Sequence, residues 1–361
     1  MTRSARIPVF DGHNDTLTQI RNASGAEQRS FLQRSDLGHI DLPRAREGGL
    51  GGGFFAIFTA SPAWVRTSRP MLDAQGVEIP GSRVVDLPPR LARRRALSYT
   101  LSVMSDLFRL EEESEGLMKV VRTAAELRRC LADGTFAAAL HIEGVEAIDT
   151  RLEALDVFHA AGLRSLGPVW SRPNAFAHGV PFDFPRTPDT GPGLTAAGKR
   201  LVRRCNRLGV LVDLSHLNEA GFWDVSHVSD APLVATHSCA WTLAPSPRNL
   251  TDAQLDAIAS SGGIVGVNFH RGFLRADGDA DAPTSLTEIV RHARYVADRI
   301  GVEHVGLGSD FDGAHMPSDL QDVTHLPSLL DALRAGGFGA SDVRAIAHEN
   351  WVRVLEETWG E

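Results

Sequence analysis

The chain has 361 residues, of which 43% are hydrophobic and 23% charged, a composition that can bury a sizeable core. A net charge of −8, with Arg93-Arg94-Arg95 as the local basic cluster, excludes the electrostatic footprint of a nucleic-acid binder. Cys130, Cys205 and Cys239 are far apart and form no CxxC pair, which argues against a disulfide framework and fits a reducing compartment. Residues 1–6 lead into the first apolar run without a signal-like segment, and the least charged stretch, 48–65, is broken by glycines and Pro62. A cytoplasmic protein with no membrane span is therefore expected.

Eight short apolar runs recur along the chain, at 7–15, 52–60, 136–144, 164–170, 210–216, 233–238, 264–269 and 305–310. Helix-like stretches such as 152–161, 195–208, 252–260 and 286–300 lie between them. Continuous apolar strands alternating with amphipathic helices predict an α/β fold with a parallel sheet, and eight units predict a closed (β/α)8 TIM-type barrel. No domain boundary is visible, so one domain over 1–361 is expected. Segments 326–335 and 341–358 read as a C-terminal helical extension beginning near residue 318. Two proline-rich stretches, 61–89 and 170–192, follow the second and fourth strands. They should rise over the C-terminal face, where barrels keep their active sites.

The strand ends carry polar groups. His13 and Asp15 close the first strand, and side chains two apart on a strand share a face. Such a pair is ordinarily a surface contact, but it is also half of a Zn²⁺ site. The third strand ends in Glu143, a carboxylate too costly to bury without a cationic partner. His141, one layer deeper, is expected to pack or to support a ligand. His216 closes the fifth strand, with Val212 and Leu214 on its inward face and Asp213 pointing toward the helices. His237 closes the sixth, and Cys239 beside it reads as a small packing residue. After the eighth strand, Asp310 and Asp312 share a face, and spacing alone does not choose between them as a proton shuttle. Five donors exceed one tetrahedral zinc but suit two, with His13, Asp15 and Glu143 on one metal and Glu143, His216 and His237 on the other. A two-metal site predicts hydrolysis.

The segments 11–15, 142–144, 212–216, 237–238, 248–249, 267–269 and 308–313, in this order, resemble the membrane (renal) dipeptidase family, metallopeptidase family M19, in its microbial branch. The resemblance implies a (β/α)8 barrel with two Zn²⁺ per chain held by those five ligands. It implies a zinc dipeptidase that cleaves dipeptides, L-Xaa-D-Xaa among them, by attack of a metal-bridged hydroxide. Asp310 falls at the family's general acid/base. Arg248 falls where the family holds the dipeptide carboxylate, although it could instead brace the loop 240–250. Trp170 stands where mammalian members carry a substrate-binding histidine. An indole can donate one hydrogen bond but carries no charge, so Trp170 reshapes that contact, and Asn174 or the second zinc could compensate. Family members are often homodimers, but no interface is legible. The alternatives are another barrel amidohydrolase acting on N-acyl amino acids, lactones or cyclic amides, and a non-catalytic metal or peptide binder.

Overall fold

The computed structural model describes residues 6–61 and 67–360. The expectations for residues 1–5 and for the start of the first long loop, 62–66, lie outside the described residues. Eight parallel strands form the barrel: β1 (Val9–Asn14), β2 (Leu50–Phe58), β3 (Phe136–Glu143), β4 (Leu163–Gly167), β5 (Leu211–Val212), β6 (Val234–Ser238), β7 (Ile264–Asn268) and β8 (Val305–Gly308). The ladder runs β5-β4-β3-β2-β1-β8-β7-β6. Between β5 and β6 the closure is a single bridge, Asp213 to Val234. A further short strand, Met118–Val120, lies along the start of β3.

The helices between strands stand where local chemistry starts and stops them. Asp252–Ser260 opens on a capping box: Thr251 Oγ1 accepts from Gln254 N, and Gln254 Oε1 accepts from Thr251 N. Ala196–Leu208 opens on Thr195, whose hydroxyl accepts from Gly198 N at 3.1 Å. The helices cover the outer strand faces, where Phe55, Ile57, Leu140 and Ile142 are buried. Among the described residues no helix is long and apolar enough to cross a membrane.

The C-terminal extension does more than lie on the barrel. The expected helix over 341–358 is broken into Ala340–Arg344, a wide π turn at Ala345–Glu349, and Asn350–Trp359. This geometry drives Trp351 into the N-terminal end of the barrel, where it is fully buried with Phe10 and Phe54. Its Nε1 donates to Leu307 O at 3.1 Å. Glycine is required beneath it, since a Cβ on Gly12 or Gly306 would stand 2.6 Å from the indole. The barrel is thus plugged below and open above.

β5 corrects one expectation. Val212 and Leu214 join the outer core, whereas Leu211 belongs to the inner one. Asp213 therefore points inward, not toward the helices. The strand is only two residues long, and apolar residues on both faces hide its phase. The Asp213 carboxylate completes the weak β5–β6 seam by accepting from Thr236 N at 2.9 Å and Thr236 Oγ1 at 2.7 Å.

Above the barrel the two long loops pair with each other. Arg83 N donates to Phe184 O at 2.7 Å, and Phe184 N returns the bond to Arg83 O at 2.8 Å.

Candidate metal centre

The C-terminal strand ends meet around one oxygen. Glu143 Oε1 lies 2.9 Å from His216 Nε2, 3.5 Å from His237 Nε2 and 3.8 Å from His13 Nε2. Asp15 Oδ2 stands 3.6 Å from His13 Nε2 on the other side. Two donor triads share the glutamate: His13, Asp15 and Glu143, and Glu143, His216 and His237. All five predicted ligands come together. Asp15 reaches the cluster differently from the expected strand alternation. β1 slips register between Asp11 and Asn14, and Asp15 begins the helix Thr16–Asn22.

His216 and His237 are set up as neutral ligands. Thr236 Oγ1 gives its single proton to Asp213, so it must accept from His237 Nδ1 at 2.8 Å. That leaves the Nε2 lone pair facing Glu143. His216 Nδ1 meets Ser171 Oγ at 3.1 Å, again leaving Nε2 inward. Burial, with cationic Arg248 and His13 nearby, holds the pKa of both rings well below the usual histidine range. His141 is not in either triad; it bonds Ser165 Oγ at 2.8 Å, and burial lowers its pKa to about 3.

The carboxylates show what the pocket requires. Burial, together with Asp15 and Asp310 alongside, pushes Glu143 well above the ordinary carboxyl range. Burial opposes charge on His13, yet Glu143, Asp15 and Asp310 raise it to about 10. A ring between two carboxylates with neither nitrogen hydrogen-bonded, beside a buried Asp15 Oδ1 that also lacks a partner, is a donor set waiting for cations. Room is reserved as well: a Cβ on Gly313 would sit 2.1 Å from Asp15 Oδ2 and 2.6 Å from Asp310 Oδ1. Neutral His216 and His237, the carboxylates, and His13, whose proton a metal ion would displace, fit a pair of zinc-like ions in a closed cluster.

The two final aspartates part company. β8 ends at Gly308, and both Asp310 (φ 60°) and Asp312 (φ 65°) take the left-handed conformation, so their side chains diverge. Asp312 accepts from His39 N, Thr16 Oγ1 and Arg29 Nη2 at 2.6–2.8 Å. It ties the segment before β2 to the barrel. Among the described residues, the one side chain that donates to Asp310 is Asn268, through Nδ2 at 3.0 Å. Burial and Asp15 raise its pKa, while His13, Asn268 and Arg248 restrain the rise.

Arg248 is buried beside the cluster, with its guanidinium 5.2 Å from the Phe273 ring centroid. Nη2 donates to His237 O at 3.2 Å, whereas Nε and Nη1 find no partner among the described residues. Among those residues it also makes no salt bridge that braces its loop. Trp170 lines the same cavity of about 600 Å³, which also includes Glu143, His216, Arg248 and Asp310. Asn174 does not reach it. Its Nδ2 donates to Pro168 O and its Oδ1 accepts from Phe176 N and Ala177 N, so the amide folds its own loop and cannot stand in for the family histidine. Cys239 is buried, its thiol pushed up to about 12 by burial, and its Sγ turns to Asn268 O at 3.3 Å, as a packing residue would. Asp213 and Thr236 are the contributors sequence reasoning missed. The Thr-His pair beside an Asp at a neighbouring strand end was the available signal.

A parallel barrel whose mouth gathers histidines and carboxylates defines the class of metal-dependent barrel hydrolases. Within that class the chain belongs to the membrane dipeptidase family (peptidase family M19), which matches residues 3–359. It is similar to a metallopeptidase from Rhodobacter sphaeroides, solved with a phosphinate mimic of the dipeptide L-Ala-D-Ala, at 49% identity and a TM-score of 0.89 over 98% of this chain and 99% of that one. It is also similar to a crystallised M19 dipeptidase, dipeptidase AC, at 50% identity, with the same TM-score of 0.89 and the same 98% and 99% coverage. A Klebsiella pneumoniae protein encoded in the pqqA 5′ region is 49% identical over 70% of this chain and 93% of its own length.

Proposed function

We propose that the protein is a binuclear zinc dipeptidase that hydrolyses dipeptides, L-Xaa-D-Xaa among them. The observation that carries this reading is the Glu143 oxygen shared by three histidines, with an arginine lacking partners for two of its nitrogens on the same cavity. His13, Asp15 and Glu143 would hold one ion, and Glu143, His216 and His237 the other. When bound, such a pair supplies Lewis acidity and a nucleophile at neutral pH.

The chain's own residues account for the remaining steps. Arg248 offers the free carboxylate of the C-terminal residue one of its unpartnered nitrogens, Nε or Nη1, together with the second hydrogen of Nη2, a bidentate geometry suited to that anion. As water oxygen bonds to the peptide carbon, Asp310 accepts the water proton. It then delivers that proton to the nitrogen as the C–N bond breaks. Its raised pKa suits a group that must both take and give. Asn268 keeps the carboxylate aimed. The aromatic rings around the mouth exclude bulk water. The similarity to a protein solved with an L-Ala-D-Ala mimic supports a D-residue at the second position.

The test is to assay the zinc-loaded chain on L-Ala-D-Ala, L-Ala-L-Ala, an N-acyl amino acid and a lactone, with metal analysis of the same sample. Hydrolysis of dipeptides with two zinc equivalents is expected. Turnover confined to the lactone or the N-acyl compound would replace this reading with another barrel amidohydrolase. No turnover on any substrate would leave a binder.

A further inference from the structure

Phe58, Trp170 and Phe182 form one half-buried aromatic wall of the cavity. Trp170 stands 4.8 Å from the Phe58 ring and 5.4 Å from Phe182, and its far side reaches His216 at 5.9 Å. Behind the wall lies Arg172, fully buried. Its Nε donates to Glu146 Oε1 at 2.7 Å, Nη1 to Ser61 Oγ at 2.8 Å and Nη2 to Thr59 O at 2.8 Å. Its guanidinium lies 5.4 Å from the Phe58 centroid and 5.5 Å from that of Trp170. One side chain thus joins the ends of β2, β3 and β4. Burying an ion pair costs more than an apolar filling would, so packing alone does not account for it.

Barrel order gives the wall a place along the substrate. In the ring of eight strands β6, which leads to Arg248, stands opposite β2, which ends at Phe58. A dipeptide whose carboxylate rests on Arg248 and whose carbonyl lies over Glu143 carries its N-terminal residue toward the β2–β4 side. Two flanks of different chemistry meet it there. The aromatic wall is one, and Gln19, Asn22 and Glu27, in and after the first helix, are the other. The ammonium suits the polar flank and an apolar side chain suits the rings.

We propose that Phe58, Trp170 and Phe182 are the pocket for the N-terminal side chain and select large apolar or aromatic residues there, with Arg172 and Glu146 as its positioning residues. This rests on the dipeptidase reading above.

The test measures kcat and KM of the zinc-loaded full chain on an L-Xaa-D-Ala series (Ala, Leu, Phe, Glu) and an L-Ala-D-Xaa series. Wild type should prefer Phe and Leu over Ala and Glu at the first position. Trp170→Ala and, separately, Phe182→Ala should lower kcat/KM for L-Phe-D-Ala roughly tenfold more than for L-Ala-D-Ala, the scale of a lost apolar contact. The second-position ratio, L-Ala-D-Phe over L-Ala-D-Ala, should keep its wild-type value. Arg172→Met combined with Glu146→Leu, which removes both charges together, should raise KM for L-Phe-D-Ala more than it lowers kcat. Losses that follow the second residue, or that are equal for Ala and Phe, overturn the pocket. An equal fall in kcat for every substrate reduces Arg172 to a structural part. If wild type cleaves dipeptides without first-position preference, only the pocket fails; if it cleaves none, the dipeptidase reading fails and the pocket with it.

Discussion

Replacing Arg248 with methionine separates binding from stability. The guanidinium is buried and spends one Nη2 hydrogen on His237 O, which leaves Nε or Nη1, paired with the other Nη2 hydrogen, for an anion. A hydrogen bond to a charged group contributes about 1.5–3 kcal/mol. Two such bonds to a substrate carboxylate would sum to about 3–6 kcal/mol, and truncating one member of a buried charge pair costs about 2–5, so a loss of about 3–5 kcal/mol is expected. At about 1.4 kcal/mol per decade, kcat/KM for L-Ala-D-Ala should fall by roughly two to three and a half orders of magnitude. Stability should move the other way or not at all. Burial lowers the Arg248 pKa in the free protein, so the cation is held there at a cost that methionine of similar length does not incur. The assay pairs L-Ala-D-Ala with its C-terminal amide, and a thermal melt of each zinc-loaded protein. Wild type should reject the amide by about the factor that the variant loses on the acid, and the variant should treat the two alike. A variant within threefold of wild type on the acid, or one that still rejects the amide, would refute the assignment of Arg248 to the carboxylate.

Asp310→Asn keeps the shape that Asn268 holds but cannot accept the water proton. It should lower kcat by about 10²–10⁴-fold with zinc content unchanged by metal analysis, and unchanged turnover would remove Asp310 from the reaction. Stripping the metal with a chelator should lower Tm, because Asp15, Glu143 and Asp310 then repel one another, and zinc at a hundredfold excess over Kd should restore about 2.7 kcal/mol for each ion bound. A Tm indifferent to zinc would argue against a metal centre in the native state. Outside the donor cluster, burial holds the pKa of His292 down to about 4, with Arg291 adding to the effect and the ring's bond to Leu274 O opposing it. Because the folded value lies below the unfolded one, the folded state binds fewer protons between the two, and stability falls as pH drops from about 6.5 to 4, by at most about 3 kcal/mol. His292→Gln should flatten that part of the urea-derived stability curve, and an unchanged slope would show that the ring is not held neutral.

Much of the centre was legible before any coordinates. A parallel barrel delivers every strand's C-terminal end to one face, so His13, Glu143, His216 and His237 could be gathered from the ends of apolar runs alone. The helix at 252–260 was legible too, and its start rests on partners close in sequence, Thr251 and Gln254. Local signals fail where a side chain's partner is distant. Asp213 was turned the wrong way because a two-residue strand with apolar neighbours on both sides has no readable phase. Asp312 looked interchangeable with Asp310 until Arg29 and His39, far away in sequence, were seen to claim it. Asn174 looked available to substrate until its amide proved committed to its own loop.

The sequence by itself determined the fold class and marked the five side chains that the strand ends bring together, because strand alternation, helix period and residue chemistry are properties of short segments. Only the tertiary structure decided which oxygen the histidines share, which nitrogen of His237 faces inward, that Trp351 plugs the barrel floor and that Arg172 backs the aromatic wall. Most of these rest on contacts between segments tens to over a hundred residues apart, such as Glu143 with His216, Trp351 with Leu307 and Arg172 with Phe58. Their geometry follows from how closed strands and loops pack, which no local pattern encodes.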